Sequence, residues 1–131
     1  MTLFVDASAL VAIIAEETEG ESFTRAVRDD ETPLWSAMSC CETVSGLRRS
    51  YGWTIERARQ EVDLVAAAAR LALVGIANTE LMLALDAYHT YGKGRHRAGL
   101  NMGDCFAYAC AKANQARLLY KGNDFALTDL A

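Results

Sequence analysis

Four carboxylates far apart along the chain, Asp6, Glu42, Asp104 and Asp124, each stand where an apolar segment ends or a helix is expected to begin. Asp6 follows Leu3-Phe4-Val5, and Glu42 comes in the first turn or two after Leu34-Trp35-Ser36. Asp104 opens an apolar helix after Asn101-Met102-Gly103, and Asp124 follows Leu118-Leu119-Tyr120 by a short turn. Two carboxylates about 5 Å apart repel by roughly 3 kcal/mol at an effective dielectric near 20, so several together either take up protons or bind a cation. An all-oxygen donor set suits Mg²⁺ or Mn²⁺, which keep several waters and need only one or two direct carboxylates. A cation held in this way points to phosphate chemistry.

Each acid also has a local duty it could perform instead. Asp6 could bond the amides of the helix after it, and Asp104 could stabilise a helix N-terminus. Glu42 could pair with Arg48 or Arg49, and Asp124 could shape a turn. Their shared placement favours one site, because ligand crevices in an open parallel α/β sheet form at the carboxyl ends of the strands. The other acids fall in runs such as Glu16-Glu17-Thr18-Glu19 and Asp29-Asp30-Glu31, or on helix faces with Glu56, Glu61 and Asp63, where solvation accounts for them.

The elements that must position the four acids alternate. Residues 2–6 read as a short apolar strand of the kind buried on both faces of a parallel sheet. Ser8 is placed to cap a helix through about residue 15, and Thr18 a second, amphipathic one through about residue 28. A strand over 34–36, a helix over 37–51 and a helix capped by Thr54 through about residue 70 follow. Residues 71–74 read as a third strand, 78–91 as a helix, 104–114 as a compact apolar helix and 118–120 as a fourth strand. Strands alternating with helices predict βαβ crossovers and a three-layer α/β/α domain with a short parallel sheet of four or five strands.

The chain has 131 residues, 52% of them apolar, which supports one domain over 1–131 without a linker. No basic segment precedes an apolar one at the N-terminus, and no apolar run approaches the roughly 18 residues of a membrane span, so a cytoplasmic protein without membrane contact is expected. Cys40, Cys41, Cys105 and Cys110 lack metal-site spacing and are expected to be reduced core residues. A net charge of −4 disfavours nucleic-acid binding by the protein as a whole. The glycine-rich stretch 92–103 is locally basic, however, and Lys93, Arg95 and Arg97 are its candidates for RNA phosphate contacts. It lacks the GK[ST] ending of a phosphate-cradling loop. His89 and His96 are expected to be structural or surface residues, and Arg49, on the helical face of Glu42, to pair with that acid or to point toward substrate.

Taken together these blocks resemble the PIN-domain ribonucleases, and more closely the VapC-type toxins of toxin–antitoxin pairs. The matching pieces are Val5-Asp6-Ala7-Ser8-Ala9-Leu10, Glu42-Thr43, Asn101-Met102-Gly103-Asp104-Cys105, and Lys121-Gly122-Asn123-Asp124-Phe125 with Thr128-Asp129-Leu130. Tyr91-Gly92-Lys93-Gly94-Arg95-His96-Arg97 resembles one branch of these toxins. Ala7 departs from the pattern, standing where Thr is common. The resemblance implies a Mg²⁺- or Mn²⁺-dependent endoribonuclease acting on tRNA or rRNA, dimeric, and silenced by a cognate antitoxin whose basic side chain enters the acidic pocket. It also implies Asp6 and Asp104 as metal ligands, Glu42 and Asp124 as the rest of the catalytic acids, Ser8 as a pocket-lining residue and Asp129 as structural. A dimer face could come from Leu10, Val11, Ile13 and Ile14, although core packing also explains that stripe.

Three other readings stand beside this one. A flap-type DNA nuclease would need a duplex-binding insert, for which the chain is short. A receiver-like Mg²⁺-binding signalling domain would need paired acids early in the chain, where Asp6 stands alone. A catalytically weak or inactive nucleic-acid- or protein-binding domain would not need all four acids.

Overall fold

The computed structural model describes residues 2–131. Ten elements run in the order β1 (Leu3–Val5), α1 (Ala7–Ile14), α2 (Gly20–Asp29), β2 (Leu34–Trp35), α3 (Ala37–Tyr51), α4 (Ile55–Ala69), β3 (Ala72–Leu73), α5 (Asn78–Tyr91), α6 (Met102–Ala113) and β4 (Arg117–Leu119). The four strands are all parallel, in the order β3-β2-β1-β4. Phe4 pairs with both Leu34 and Leu118, which makes β1 an interior strand of the sheet.

Side chains alternate across this sheet, as strand geometry requires. Val5 and Trp35 face one core with Leu10, Val27, Leu47 and Val62, contributed by α1 to α4. Phe4 and Leu118 face the other core with Leu100, Cys105, Cys110 and Phe125, over α5 and α6. Each fully buried Leu, Val or Phe contributes roughly 1.5–3 kcal/mol of transfer free energy. The layers follow from connectivity. The chain steps outward from β1 to β2 to β3 with its helices on one face, then crosses back to β4 with helices on the other, as right-handed crossovers demand. That reversal makes the carboxyl ends of β1 and β4 a topological switch point.

The order β3-β2-β1-β4 departs from the 2-1-3-4-5 order of receiver-type sheets, which removes the signalling-domain alternative. Among the described residues there is no fifth strand, and the stretch after β4 is a series of turns anchored by buried Phe125 and Thr128. Three helix starts differ from expectation. Asp6, not Ser8, is the N-cap of α1, because its carboxylate takes the Ser8 N–H. The second helix begins at Gly20 after Glu19, which makes no side-chain cap, rather than at Thr18. The sixth begins at Met102 because Asn101 and Asp104 form a reciprocal capping box, so Asp104 is its third residue. By contrast α3 and α5 span the residues expected of them. Gly52, in the left-handed region at φ 68°, stops α3 where a side chain would be strained.

All four cysteines are free, but only Cys105 and Cys110 are buried, while Cys41 is exposed. The expectation of four core thiols fails for Cys41 because it lies on the solvent face of α3. Among the described residues no helix is long and apolar enough to cross a membrane.

Candidate active site

The carboxyl end of β1 delivers Asp6 into a cleft that also receives residues from α3, α6 and the segment after β4. Its backbone N–H donates to the Leu119 carbonyl at 2.9 Å, which ties it to the neighbouring strand. Its Oδ2 accepts from the Ser8 N–H at 3.0 Å and from the Ser8 hydroxyl at 2.6 Å. The same hydroxyl accepts the Lys121 N–H at 2.9 Å, so Ser8 clamps the β1 acid to the turn that carries Asp124. Asp6 is 7% exposed, and burial raises its pKa despite the hydrogen bonds from Ser8 and Ala7 that pull the other way.

Glu42 lies in the second turn of α3, whose start is held by the Ser36–Ser39 capping box. Burial first, then the charges of Asp6 and Asp104, push its carboxyl up to about 7, with Arg49 partly offsetting them. Asp104 is half-buried, and its Oδ2 accepts the Asn101 N–H at 3.1 Å. Burial raises it to about 6 against that hydrogen bond, with Asp124 and Asp6 adding repulsion. Asp124 is exposed at the rim. All four acids thus line one cleft of about 280 Å³, with Ser8, Asn101, Arg49, Glu17 and Lys121.

None of the four carboxylates has a salt-bridge partner among the described residues. Lys121 points its ammonium to Glu17 at 2.7 Å and Glu19 at 3.7 Å, and the Tyr51 hydroxyl donates to the same Glu17. The negative charge of the cleft is therefore under-compensated, and Glu42 and Asp104 resist ionising together. Oxygen donors alone, partly desolvated and mutually repelling, fit a small hard cation. Among the described residues no three acids close tightly enough to form a complete cage by themselves. An ion such as Mg²⁺, which keeps most of its waters, does not require one.

The basic residues of the glycine-rich loop lie elsewhere. Lys93, Arg95 and Arg97 are exposed on the loop before α6 and do not line the cleft. Arg95 is folded back, its Nε donating to the His89 carbonyl at 3.1 Å. His96 packs edge-on against Tyr91 and accepts the Ala98 N–H, so it shapes the loop. Asp129 accepts from Tyr108 at 2.6 Å and from Lys112 at 2.5 Å, fastening the C-terminal segment to α6. Glu17 and Lys121 were not among the expected cleft residues. Glu17 was hidden in an acidic run, and nothing in the spacing of Lys121 announces its partners.

The PIN domain family model matches residues 3–130. Ribonuclease VapC30 of Mycobacterium tuberculosis is 43% identical over 129 residues, which cover 98% of this chain and 96% of that protein. Ribonuclease VapC of Mycolicibacterium smegmatis is 44% identical over 129 residues, covering 98% of each. The crystal structure of Mycobacterium tuberculosis VapC20, described as a sarcin-ricin loop cleaving toxin, superimposes with a TM-score of 0.73 at 16% identity. That match covers 95% of this chain and 92% of VapC20, and it bears on the fold. The chain belongs to the PIN-domain family and, within it, groups with the VapC proteins.

Proposed function

We propose that the protein is a metal-dependent endoribonuclease and the toxin of a toxin–antitoxin pair. The observation that carries this reading is the convergence of four carboxylates, from four separate stretches of the chain, on one under-compensated cleft. Identity of 43–44% to VapC ribonucleases over nearly the whole chain supports the same activity.

Asp6 and Asp104 are the proposed ligands of Mg²⁺, or of Mn²⁺ in its place. Such a cation supplies an activated water and neutralises charge on a phosphodiester. Ser8 holds one Asp6 oxygen through both its N–H and its hydroxyl, which fixes the orientation of the carboxylate at the cleft. Glu42 and Asp124 are proposed to orient water by accepting its hydrogens. With a carboxyl near 7, Glu42 can also hold or release a proton at neutral pH. Arg49 is proposed to balance Glu42 and to meet a phosphate, and Lys93, Arg95 and Arg97 to grip the RNA backbone beyond the cleft. The target is proposed to be a structured RNA, tRNA or rRNA.

The partner surfaces are proposals as well. On α1, Leu10 is 1% exposed in the core, while Val11, Ile13 and Ile14 are partly buried against that core, which leaves limited apolar surface there for a second copy. Helix α5 presents Leu81, Met82, Leu85 and Tyr88 to solvent, Leu73 and Ile76 are exposed in the stretch that precedes it, and α5 is the proposed dimer face. For the antitoxin, an apolar cavity of about 300 Å³ between α1, α2 and α4 shares Ile13 and Thr24 with a cavity at Glu17, which itself borders the acid cleft. A peptide with apolar anchors followed by a basic side chain fits that path. A cytoplasmic location goes with this role.

The test is incubation of antitoxin-free protein with total cellular RNA in Mg²⁺, in Mn²⁺ and in chelator, beside Asp6→Asn. Discrete metal-dependent cuts with 5′-phosphate and 3′-hydroxyl ends, lost in the variant, are expected. Folded protein that cuts nothing in any condition would favour the binding-domain reading.

A further inference from the structure

At three glycines, Gly20, Gly92 and Gly103, an added Cβ would come within 3.0 Å of another atom. A Cβ added at Gly20 would meet the Ala12 carbonyl, and one at Gly92 would meet the Tyr88 carbonyl with Tyr88 Cδ1 at 2.7 Å. Backbone cannot give way cheaply, so those two positions need glycine for packing. Gly103 differs. A Cβ there would have the Glu42 Cδ at 2.5 Å, its Oε1 at 2.8 Å and its Oε2 nearer still; these are its three nearest atoms, all from one carboxylate.

No backbone requirement explains glycine at this position. Gly103 is the second residue of α6, with ordinary helical dihedrals rather than a positive φ, and glycine weakens a helix relative to alanine. The capping box of Asn101 and Asp104 would be unaffected by a methyl group between them in sequence. What the missing side chain provides is volume, and the head of Glu42 fills it.

We propose that Gly103 is a positioning residue for Glu42: its missing Cβ lets an acid from α3 lie against the first turn of α6, beside Asp104. The inference rests on the metal-dependent reading above. The obstacle at Gly103 is the far end of a flexible side chain, so an alanine there displaces the Glu42 carboxylate and leaves the fold intact. The cost then falls on cation binding, where loss of a residue that orients ligands or their waters weakens affinity about 10-fold or more.

The experiment is Mn²⁺ titration by calorimetry, without RNA, on the parent, Gly103→Ala, Glu42→Ala and the double variant, each first melted in chelator. Gly103→Ala is expected to melt no lower than the parent. It should bind Mn²⁺ about 10-fold or more weakly, at the level of Glu42→Ala. In the Glu42→Ala background the same substitution should change Mn²⁺ affinity by less than about 2-fold, as non-additivity of coupled residues requires. Parent-like Mn²⁺ affinity in Gly103→Ala, an equal loss in both backgrounds, or a Gly103→Ala protein that does not fold would each overturn the assignment. A parent that binds no Mn²⁺ overturns the metal reading and this inference with it, a result distinct from a parent that binds and a variant that binds equally.

Discussion

Replacing Glu42 by Gln should stabilise the metal-free protein at pH 8 and leave it unchanged at pH 4.5. In the unfolded chain this carboxyl titrates near its ordinary 4.5, and in the fold at about 7, raised by burial and by Asp6 and Asp104. Between those values the folded state holds a proton that the unfolded state has released, so stability falls as pH rises through the window. At about 1.4 kcal/mol per pH unit the full gap is worth about 3 kcal/mol. Because the repulsion is shared with Asp104, which rises from 3.8 to about 6, the two contributions are not additive. A gain of about 2 kcal/mol in Glu42→Gln at pH 8 is a fair expectation, or roughly 5–10 °C in melting temperature for a domain of this length. The lowered carboxyls of Glu17 and Asp129 lose their stabilising effect only as pH falls below the ordinary carboxylate range, outside this window. The assay is thermal melting in chelator at pH 4.5 and 8, repeated with saturating Mn²⁺ at pH 8. Mn²⁺ should erase the advantage, because it gives the wild-type carboxylates their counter-charge. A variant that melts lower than wild type at pH 8 without metal would refute the reasoning.

Three further outcomes are expected. Ser8→Ala removes the hydroxyl that joins Asp6 to the Lys121 backbone, so it should cost about 1–2 kcal/mol in denaturant melts and weaken Mn²⁺ binding about 10-fold or more. Replacing Lys93, Arg95 and Arg97 together by Ala should weaken RNA binding without changing Mn²⁺ affinity; filter binding against salt should show the log–log slope shallower by about 0.7 for each phosphate that is no longer neutralised. Asp129→Ala frees Tyr108 and Lys112 and should lower stability by roughly 1 kcal/mol, with Mn²⁺ affinity measured by calorimetry unchanged.

The acids could be singled out in the sequence because each ends a short apolar segment or begins a helix, and an α/β sheet brings such positions to one edge. The bounds of α3 and α5 were equally legible, since a serine cap before 37 and Gly52 after 51 punctuate one, and Asn78 and Gly92 bracket the other. Helix starts with competing caps were harder. Asp6 and Ser8 both suit the first turn of α1, and only the fold shows that the carboxylate takes the amide while the hydroxyl bridges to Lys121. Glu17 and Lys121 were illegible because their meaning is a contact over 104 positions, which no local pattern encodes. The α1 stripe left core packing and a dimer face both open, because periodicity shows that a helix has an apolar side, and not which neighbour covers it.

Every role proposed for the four acids depends on a cation in their cleft. The most direct test is a crystal of the protein grown with Mn²⁺ and measured at a wavelength where manganese scatters anomalously. The predicted result is a peak about 2 Å from carboxylate oxygens of Asp6 and Asp104, with Glu42 and Asp124 facing its waters. A fully occupied peak elsewhere with the cleft empty, or no peak at saturating Mn²⁺, would contradict it.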